Sequence, residues 1–174
     1  RFFIKQINGE SNFMKCVILA GGLGTRLAEE TSTKPKPMVK IGKFPILYHI
    51  MEIYSSYGFN DFIICTGYKK KIIEDYFKKY LIRTENSYTK HYFNKKKNWK
   101  ICCIFTGDRT QTAGRIYKLK KLLKSEENFF LTYGDGLANI NIRKSLNFFK
   151  KQKKMSLMTV VRPPARYGVV KMNN

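Results

Sequence analysis

Cysteine and histidine are scarce in this sequence, and their spacing excludes the common protein zinc sites. The 174 residues include four cysteines and two histidines. No two cysteines form a C-x-x-C pair, and no combination of cysteine and histidine has zinc-motif spacing. We therefore expect the cysteines to be small buried hydrophobes of a protein in a reducing compartment. The residues concerned are Cys16, Cys65, Cys102, Cys103, His49 and His91.

Long apolar runs are also missing. No stretch approaches the ~18 apolar residues that a membrane helix needs. Residues 1–13 lack the apolar run and the small-residue cleavage site of a signal peptide, and we interpret them as an extension that precedes the fold. The sequence therefore predicts a cytoplasmic protein without a membrane partner. Its length is that of about one domain, placed at residues 14–174.

Acidic residues are few, and the resulting charge predicts an anionic partner. The chain has 34 lysines and arginines against 12 aspartates and glutamates, which gives a formal net charge of +22. Nucleic acid, an acidic membrane surface or a phosphorylated small molecule would each suit this charge. Lysines outnumber arginines by 26 to 8 and occur in runs such as 69–71, 95–97 and 150–154. Such runs are typical of solvated faces, so we expect no nucleic-acid partner.

Apolar runs alternate with helical patterns along the chain, which predicts an α/β fold. We expect a Rossmann-like, mostly parallel sheet that is flanked by helices on both faces. A short apolar run precedes residue 174, and we interpret the chain as a fragment whose sheet is incomplete at the C-terminus. The predicted strands are 14–20, 61–66, 100–106, 128–133 and 155–161; the predicted helices are 45–57, 68–80, 113–124 and 140–152; residues 87–98 are predicted to be irregular.

A glycine-rich loop follows the first predicted strand and has the composition of a phosphate-binding site. The loop is Gly21-Gly22-Leu23-Gly24-Thr25-Arg26. Glycines let the backbone approach a ligand, and successive N–H groups can form a nest for an anion. Arg26 adds a forked cationic donor. Lys36 extends from a backbone that Pro35 and Pro37 stiffen. These groups together suit a polyphosphate.

Two familiar phosphate loops do not fit this segment. It contains no G-K-[ST], which a P-loop requires. The dinucleotide pattern G-x-G-x-x-G also fails, because Leu27 stands at the last glycine position.

The segments LAGGLGTRL and KPKPM resemble the signature of the sugar-1-phosphate nucleotidyltransferases. Further segments are similar to the glucose-1-phosphate cytidylyltransferases within that group: AEETSTKPKPM, YGFNDFIICTGYK, TAGR, FLTYGDG and RPPARYG. The resemblance extends from residue 14 to about residue 171 and is weaker over residues 82–99. It implies the nucleotide-diphospho-sugar transferase type of fold.

The resemblance also implies a reaction. A cytidylyl group would pass from CTP to α-D-glucose 1-phosphate, giving CDP-glucose and pyrophosphate, by in-line attack of the sugar phosphate on the α-phosphorus with Mg²⁺. CDP-glucose would feed deoxysugar synthesis for surface polysaccharides such as O-antigen, and the complete protein is expected to be a homo-oligomer. Transfer from UTP, dTTP or GTP stays open, as does a non-catalytic nucleotide- or nucleic-acid-binding protein that kept the fold.

By the same resemblance, three residues would act in catalysis and a larger set would bind the nucleotide. Arg26, Lys36 and Arg115 would stabilise charge on the reacting phosphates. Arg115 could instead be a surface arginine at a helix N-terminus. The predicted nucleotide-binding residues are Leu19, Ala20, Gly21, Gly22, Leu23, Gly24, Thr25, Arg26, Lys36, Thr110, Gly114, Arg115 and Gly134.

The resemblance assigns a metal ligand and part of a sugar site as well. Asp135, directly after the strand FFLTY, would bind Mg²⁺, although an Asp-Gly pair is also a common turn. A second aspartate of the family would lie beyond Asn174. Tyr167 and Gly168 would contact the sugar. Asp61, Glu74 and Asp75 are interpreted as surface or capping residues.

Overall fold

The computed structural model describes residues 14–22 and 33–161, in which strands and helices alternate. The described strands are β1 (Cys16–Leu19), β2 (Lys40–Ile41), β3 (Phe44–Pro45), β4 (Asp61–Thr66), β5 (Leu81–Asn86), β6 (Thr89–Asn94), β7 (Trp99–Phe105) and β8 (Phe130–Tyr133). The described helices are α1 (Ile46–Ser56), α2 (Lys70–Phe77), α3 (Thr112–Lys118), α4 (Lys120–Leu123) and α5 (Ile142–Gln152), with 3-10 turns at Lys36–Met38 and Lys78–Tyr80. These residues fall into two compact units, one before Ile140 and one from Ile140 onward.

Six strands of the first unit form a mixed sheet in the order β5-β6-β7-β4-β1-β8. Strand β1 pairs in parallel with β4 and β8, and β4 pairs in parallel with β7. The hairpin β5–β6 extends the sheet in antiparallel fashion beyond β7. The predicted α/β class with a mostly parallel sheet is therefore confirmed. Because β1, β4, β7 and β8 run the same way, their carboxyl ends meet at one edge.

The central strands β1 and β4 are buried on both faces, as their continuous apolar sequences predict. One face packs against α1 and α2, and the other packs against Leu119 with Ile116 and Leu123 around it. Burying each large apolar side chain contributes about 1.5–3 kcal/mol. The carboxyl edge is thus built on the best-packed part of the sheet. The strand residues on the first face are Cys16, Ile18, Phe62 and Ile64; those on the second are Val17, Leu19, Ile63 and Cys65.

The prediction of an irregular segment at 87–98 is wrong for its middle, because Thr89–Asn94 form strand β6; the residues on either side of it are turns. Thr89 to Asn94 pair in register with Ile104 to Trp99 of β7. Tyr92 and Asn94 alternate toward the interior and are buried. Its polar sequence TKHYFN, followed by three lysines, does not indicate a strand. Its conformation follows from the ladder that β7 offers, since strand preference depends strongly on cross-strand neighbours.

Two predicted helices differ in detail from the observed ones. The helix predicted at 113–124 is divided into α3 and α4 at Leu119, whose backbone (φ −87°, ψ −1°) departs from ideal helix geometry. Leu119 is fully buried, so packing fixes the break. The helix predicted at 68–80 begins later, after Lys69 in the left-handed region (φ 56°), and ends in a 3-10 turn.

The second unit contains α5, which agrees with the helix predicted at 140–152. Asn141 caps it: the side-chain Oδ1 accepts a hydrogen bond from the Lys144 N–H at 2.9 Å. The strand predicted at 155–161 is wrong, because this segment forms no strand and its apolar side chains, such as Met158 and Val161, are exposed. A strand needs a neighbour for its backbone hydrogen bonds, and apolar composition alone does not provide one.

No helix within the described ranges has both the length and the apolar character that crossing a membrane requires.

Candidate active site

A cavity of about 160 Å³ opens at the carboxyl edge of the sheet. Open α/β sheets bind ligands at this edge. The cavity brings together the ends of β1 and β8, the Lys36 turn and the start of α3. Its lining residues are Leu19, Ala20, Gly21, Gly22, Lys36, Pro37, Thr110, Gln111, Thr112, Arg115, Tyr133 and Asp135.

The floor of the cavity is the end of β1, where the chain leaves the sheet. The Ala20 N–H donates to the Cys65 carbonyl at 3.0 Å, and the Gly134 N–H donates to the Leu19 carbonyl at 2.9 Å. A Cβ at position 134 would lie 3.1 Å from that carbonyl oxygen and 3.0 Å from Pro37 Cγ. Glycine at this position therefore lets the end of β8 pack closely on the β1 loop. Gly134 shapes the cavity without lining it.

Lys36 begins a 3-10 turn whose apolar residues anchor it. Pro35 precedes the turn in an extended conformation (φ −68°, ψ 146°), and the Met38 N–H donates to the Pro35 carbonyl at 2.8 Å. Pro37 and Met38 are buried. The two prolines thus fix the backbone, as the sequence predicts, and the lysine side chain extends from a rigid base into the cavity.

The Lys36 ammonium ends beside the carboxylate of Asp135. The Nζ and Oδ2 atoms are 2.9 Å apart, and the two side chains are 32% and 36% exposed. The structure therefore joins a predicted catalytic lysine and the predicted metal ligand in one ion pair. Both groups remain accessible to a ligand from the solvent side.

The single carboxylate of Asp135 could hold a magnesium ion only together with ligands from outside the protein. Among the described residues, no group of three His, Cys, Asp or Glu side chains could hold a metal ion alone. Magnesium usually takes one or two protein carboxylates together with substrate phosphates and water. One accessible carboxylate at a cavity that also presents lysine and arginine is consistent with that arrangement.

Arg115 is not the surface arginine of the alternative interpretation, because its residue is only 4% exposed. Its Nη1 donates to the carbonyls of Thr66 (3.2 Å) and Gly107 (2.9 Å) and to the Thr106 hydroxyl (2.6 Å). Its Nη2 donates to the Gly21 carbonyl at 2.6 Å. Burial lowers the pKa of the guanidinium, and electrostatic interactions with Cys65 and Asp108 offset this lowering only in part. The side chain lines the cavity while binding four protein acceptors.

Thr110 lines the cavity, whereas Gly114 lies behind it. A Cβ at Gly114 would come within 2.9 Å of Thr110 Cγ2, so this glycine allows α3 to pack against the loop. Lys118 Nζ donates to the Thr106 carbonyl at 2.8 Å and to the Thr110 hydroxyl at 3.4 Å. The loop before α3 is thereby tied to the end of β7.

Several predicted site residues lie outside the described ranges. They are Leu23, Gly24, Thr25 and Arg26 of the glycine-rich loop and the predicted sugar contacts Tyr167 and Gly168.

Five further residues belong to the site although no sequence motif predicts them. Gln111 and Thr112 contribute the start of α3 to the cavity, and Tyr133 contributes the end of β8. Gly67 and Gly107 contact the Arg115 side chain from below. A repeated sequence pattern could have indicated Gly67 and Gly107: each follows the threonine that ends a predicted strand, which gives a Thr-Gly pair at both places.

Two of the three residues interpreted as surface or capping acids, Asp61 and Glu74, make ion pairs in the described structure. Asp61 lies 3.5 Å from Lys15, and Glu74 pairs with Lys90. None of the three lines the cavity, but the Glu74 side chain is only 11% exposed, so the surface interpretation does not hold for it.

The nucleotidyl transferase family model matches residues 15–174 of the chain. The chain belongs to this family. It is 44% identical over 165 residues to the glucose-1-phosphate cytidylyltransferase of Salmonella typhimurium, an alignment that covers 90% of the chain and 64% of that relative. It is 31% identical over 160 residues to a mannose-1-phosphate guanyltransferase of Aspergillus oryzae, an alignment that covers 90% of the chain and 40% of that relative. The chain thus spans less than two thirds of the length of these family members.

Solved structures support the same family fold. UTP-bound UGPase from Acinetobacter baumannii matches with a TM-score of 0.62 at 18% identity, over 81% of the chain and 54% of that protein. HddC from Yersinia pseudotuberculosis, complexed with GMP-PN, matches with a TM-score of 0.59 at 28% identity, over 79% of the chain and 54% of HddC. The first likeness concerns the fold alone. Both agree with the described sheet and with the predicted nucleotide-diphospho-sugar transferase type.

Proposed function

We propose that the protein transfers a cytidylyl group from CTP to α-D-glucose 1-phosphate, with release of pyrophosphate. The observation that carries this proposal is the meeting of Lys36 and Asp135, 2.9 Å apart, in a cavity floored by Gly21 and Gly22. A cation for phosphate, a carboxylate for a metal and glycine backbone that a ligand can approach, here at the exposed Gly22, are what this transfer needs in one place. The similarity to the glucose-1-phosphate cytidylyltransferase of Salmonella typhimurium supports the choice of substrates.

In this reaction an oxygen of the sugar phosphate attacks the α-phosphorus of CTP. The bond from that phosphorus to the bridging oxygen of the β-phosphate breaks, and pyrophosphate leaves with the bonding electrons. Such a transfer depends on positioning and on charge stabilisation more than on covalent chemistry by the protein. No protein group has to form a covalent intermediate.

The residues of this chain have distinct tasks in the proposal. Gly21 and Gly22 present backbone beside the nucleotide, and the Lys36 ammonium neutralises charge at the reacting phosphates. Thr110 and the start of α3 border the same space. Asp135 would hold a magnesium ion, which when bound neutralises phosphate charge. Arg26, in the part of the loop that the structure does not describe, would add a second cation.

The size of the cavity favours phosphate at the described walls. Its volume of about 160 Å³ is below the ~300–1,000 Å³ of pockets that enclose a drug-sized ligand. The described walls therefore account for one part of CTP. Because they carry Lys36, Arg115 and Asp135, we assign them to the phosphates rather than to the base.

The test is pyrophosphate release, measured with the chain and any sequence that its gene encodes beyond residue 174. Glucose 1-phosphate and Mg²⁺ are supplied with CTP, UTP, dTTP or GTP in parallel. Release with CTP alone supports the proposal. Release with another nucleotide supports the proposed transfer mechanism and shows that the base of the donor nucleotide is not cytosine. If no nucleotide supports release and RNA binds with steep salt dependence, the protein has kept the fold for another purpose.

A further inference from the structure

We propose that Arg115 is a positioning residue: together with Gly67 and Gly107 it fixes the ends of β1, β4 and β7 and so sets the glycine loop at Gly21. The inference deepens the proposed function, on which the identity of the bound ligand rests. It concerns how the cavity is held in shape before a nucleotide arrives. Gly67, Gly107 and the threonines before them thereby gain a role in the site.

The hydrogen bonds of Arg115 reach all three strand ends at once. Nη2 holds the Gly21 carbonyl after β1, and Nη1 reaches the Thr66 carbonyl at the end of β4. Nη1 also reaches the Thr106 hydroxyl and the Gly107 carbonyl after β7. The two N–H groups of Nη1 serve three acceptors, so one of them is shared, and the planar, rigid fork of the guanidinium directs Nη2 to the fourth acceptor at the same time. A lysine ammonium at the same position could not keep this geometry.

The acceptors are all neutral, although the guanidinium is buried. None of the ion pairs among the described residues includes Arg115. Buried charges require hydrogen-bonding partners, and here carbonyl dipoles and one hydroxyl take that part. The loop carbonyls are therefore held in place by the same contacts that keep the guanidinium in the protein. Displacing the arginine would release Gly21, Thr66 and Gly107 together.

The glycines pack around the guanidinium with no room for a side chain. A Cβ at Gly21 would lie 2.2 Å from Arg115 Nη1, and a Cβ at Gly67 would lie 2.8 Å from the same atom. The Gly67 Cβ would also lie 2.5 Å from the Gly21 carbonyl oxygen and 2.8 Å from that of Gly107. Distances below 3.0 Å to backbone atoms force the chain to move. Gly67 is thus required by the close approach of the three strand ends, and Gly21 by the position of the guanidinium.

The repeated Thr-Gly pair completes the arrangement. The Thr106 hydroxyl accepts a hydrogen bond from Arg115 and donates one to the Thr66 carbonyl at 2.8 Å. The Thr66 hydroxyl donates to the Ile104 carbonyl at 3.1 Å. Both threonines are fully buried. Equivalent dipeptides on neighbouring strands therefore form one network under the cavity, with the arginine at its centre.

The experiment compares Arg115→Lys, which keeps the charge, with Gly67→Ala, which keeps the arginine and adds only a methyl group. Arg83→Lys on the exposed strand β5 is the matched control for the first. Gly136→Ala is the control for the second, because a Cβ there meets nothing within 4 Å. Amide hydrogen exchange is measured by mass spectrometry without nucleotide, followed by the Kd for CTP.

We expect exchange to rise about tenfold in both test variants at the ends of β1, β4 and β7, as expected for losing one or two hydrogen bonds. Exchange in the hairpin β5–β6 and in both controls should stay unchanged. The Kd for CTP should rise in both test variants together. If Gly67→Ala does not fold, Thr106→Val, which removes one acceptor of the guanidinium, takes its place.

Two results would overturn the inference. The first is a uniform rise of exchange over the whole sheet, which means that Arg115 contributes only to global stability. The second is unchanged exchange combined with weaker CTP binding in Arg115→Lys alone, which means that the arginine acts only by contacting the ligand. Wild-type protein that binds no CTP would contradict the proposed function, while the exchange pattern would still decide this inference.

Discussion

The Lys36 ammonium lies 2.9 Å from the Asp135 carboxylate, and this pair joins two segments that are almost a hundred residues apart in the chain. Lys36 comes from a proline-stiffened 3-10 turn, and Asp135 follows strand β8, the last in the order of the described sheet. Both side chains are about one third exposed, so the pair is accessible to a ligand. An exposed ion pair contributes only about 0–1 kcal/mol to stability. Its position at the cavity therefore points to a role in ligand binding more than in folding.

Replacing Lys36 should reduce turnover far more than it reduces stability. We expect Lys36→Ala to lower kcat for pyrophosphate release by ~10²- to 10³-fold, which is typical for the loss of one well-placed charge-stabilising donor. The matched control is Lys34→Ala, because Lys34 precedes the same turn and does not line the cavity. Steady-state kinetics with CTP and glucose 1-phosphate measure the effect. Turnover near that of the control would remove Lys36 from the mechanism.

Replacing Asp135 should weaken the binding of a divalent cation at the cavity. Asp135→Asn keeps the shape of the side chain and removes the charge that magnesium prefers. We expect at least tenfold weaker Mn²⁺ binding in the presence of CTP, measured by the loss of the free-ion paramagnetic resonance signal. Asp75→Asn on α2, away from the cavity, is the control. Equal Mn²⁺ affinity in the two variants would place the metal elsewhere.

The cysteines should react slowly in the folded protein. Burial raises the pKa of Cys65 and Cys102 to about 12, and it raises that of Cys16 and Cys103 well above the ordinary value. With a pKa of about 12, roughly one thiol in ten thousand is ionised at pH 8, and the thiolate is the reactive form. We expect iodoacetamide to modify the native protein at least 100-fold more slowly than the urea-unfolded protein. Complete labelling within minutes under native conditions would contradict the described burial.

The same pKa shifts fix the sign of a pH effect on stability. The unfolded thiols ionise near pH 9.0, whereas the folded ones keep their protons to about pH 12. Raised folded-state pKa values stabilise the fold below pH 9.0, and this contribution is lost as the pH rises from about 9 to about 12. The thermal midpoint should therefore fall across that range, and part of the fall should disappear in Cys102→Ser.

Much of the fold could be predicted because the central strands are nearly continuous apolar runs. The prediction for DFIICT matched β4 residue for residue, since both faces of that strand are buried. Strand β6 could not be predicted in the same way, because its sequence TKHYFN has no regular alternation of apolar and polar residues, and its pairing with β7 determines its conformation. For 155–161 the error is the reverse: apolar residues predict a strand that nothing described there pairs with.

The candidate site shows a similar division between chemistry and position. The family resemblance predicts that Lys36 binds phosphate and that Asp135 binds a metal ion, but only the fold shows that the two side chains are direct neighbours. Arg115 was expected to reach toward a ligand, and its four contacts to loop acceptors depend on a crossing of strand ends that no local pattern encodes. Sequence identifies reactive residue types. Hydrogen-bond partners far apart in the chain require the three-dimensional structure.

Because Lys36 and a divalent cation both seek the Asp135 carboxylate, they should compete in the absence of nucleotide. The triphosphate of CTP offers the ammonium another anion and so frees the carboxylate for the metal. We therefore expect Lys36→Gln to bind Mn²⁺ alone about three- to fivefold more tightly than wild type, as the loss of an exposed ion pair allows. The coupling between Mn²⁺ and CTP should weaken by a similar factor, since coupling is reciprocal between two ligands. Titrating Mn²⁺ with and without CTP measures both the Mn²⁺ affinity and its coupling to CTP binding, and Lys34→Gln is the control. Equal Mn²⁺ affinity in Lys36→Gln and Lys34→Gln would show that the lysine does not restrain the carboxylate.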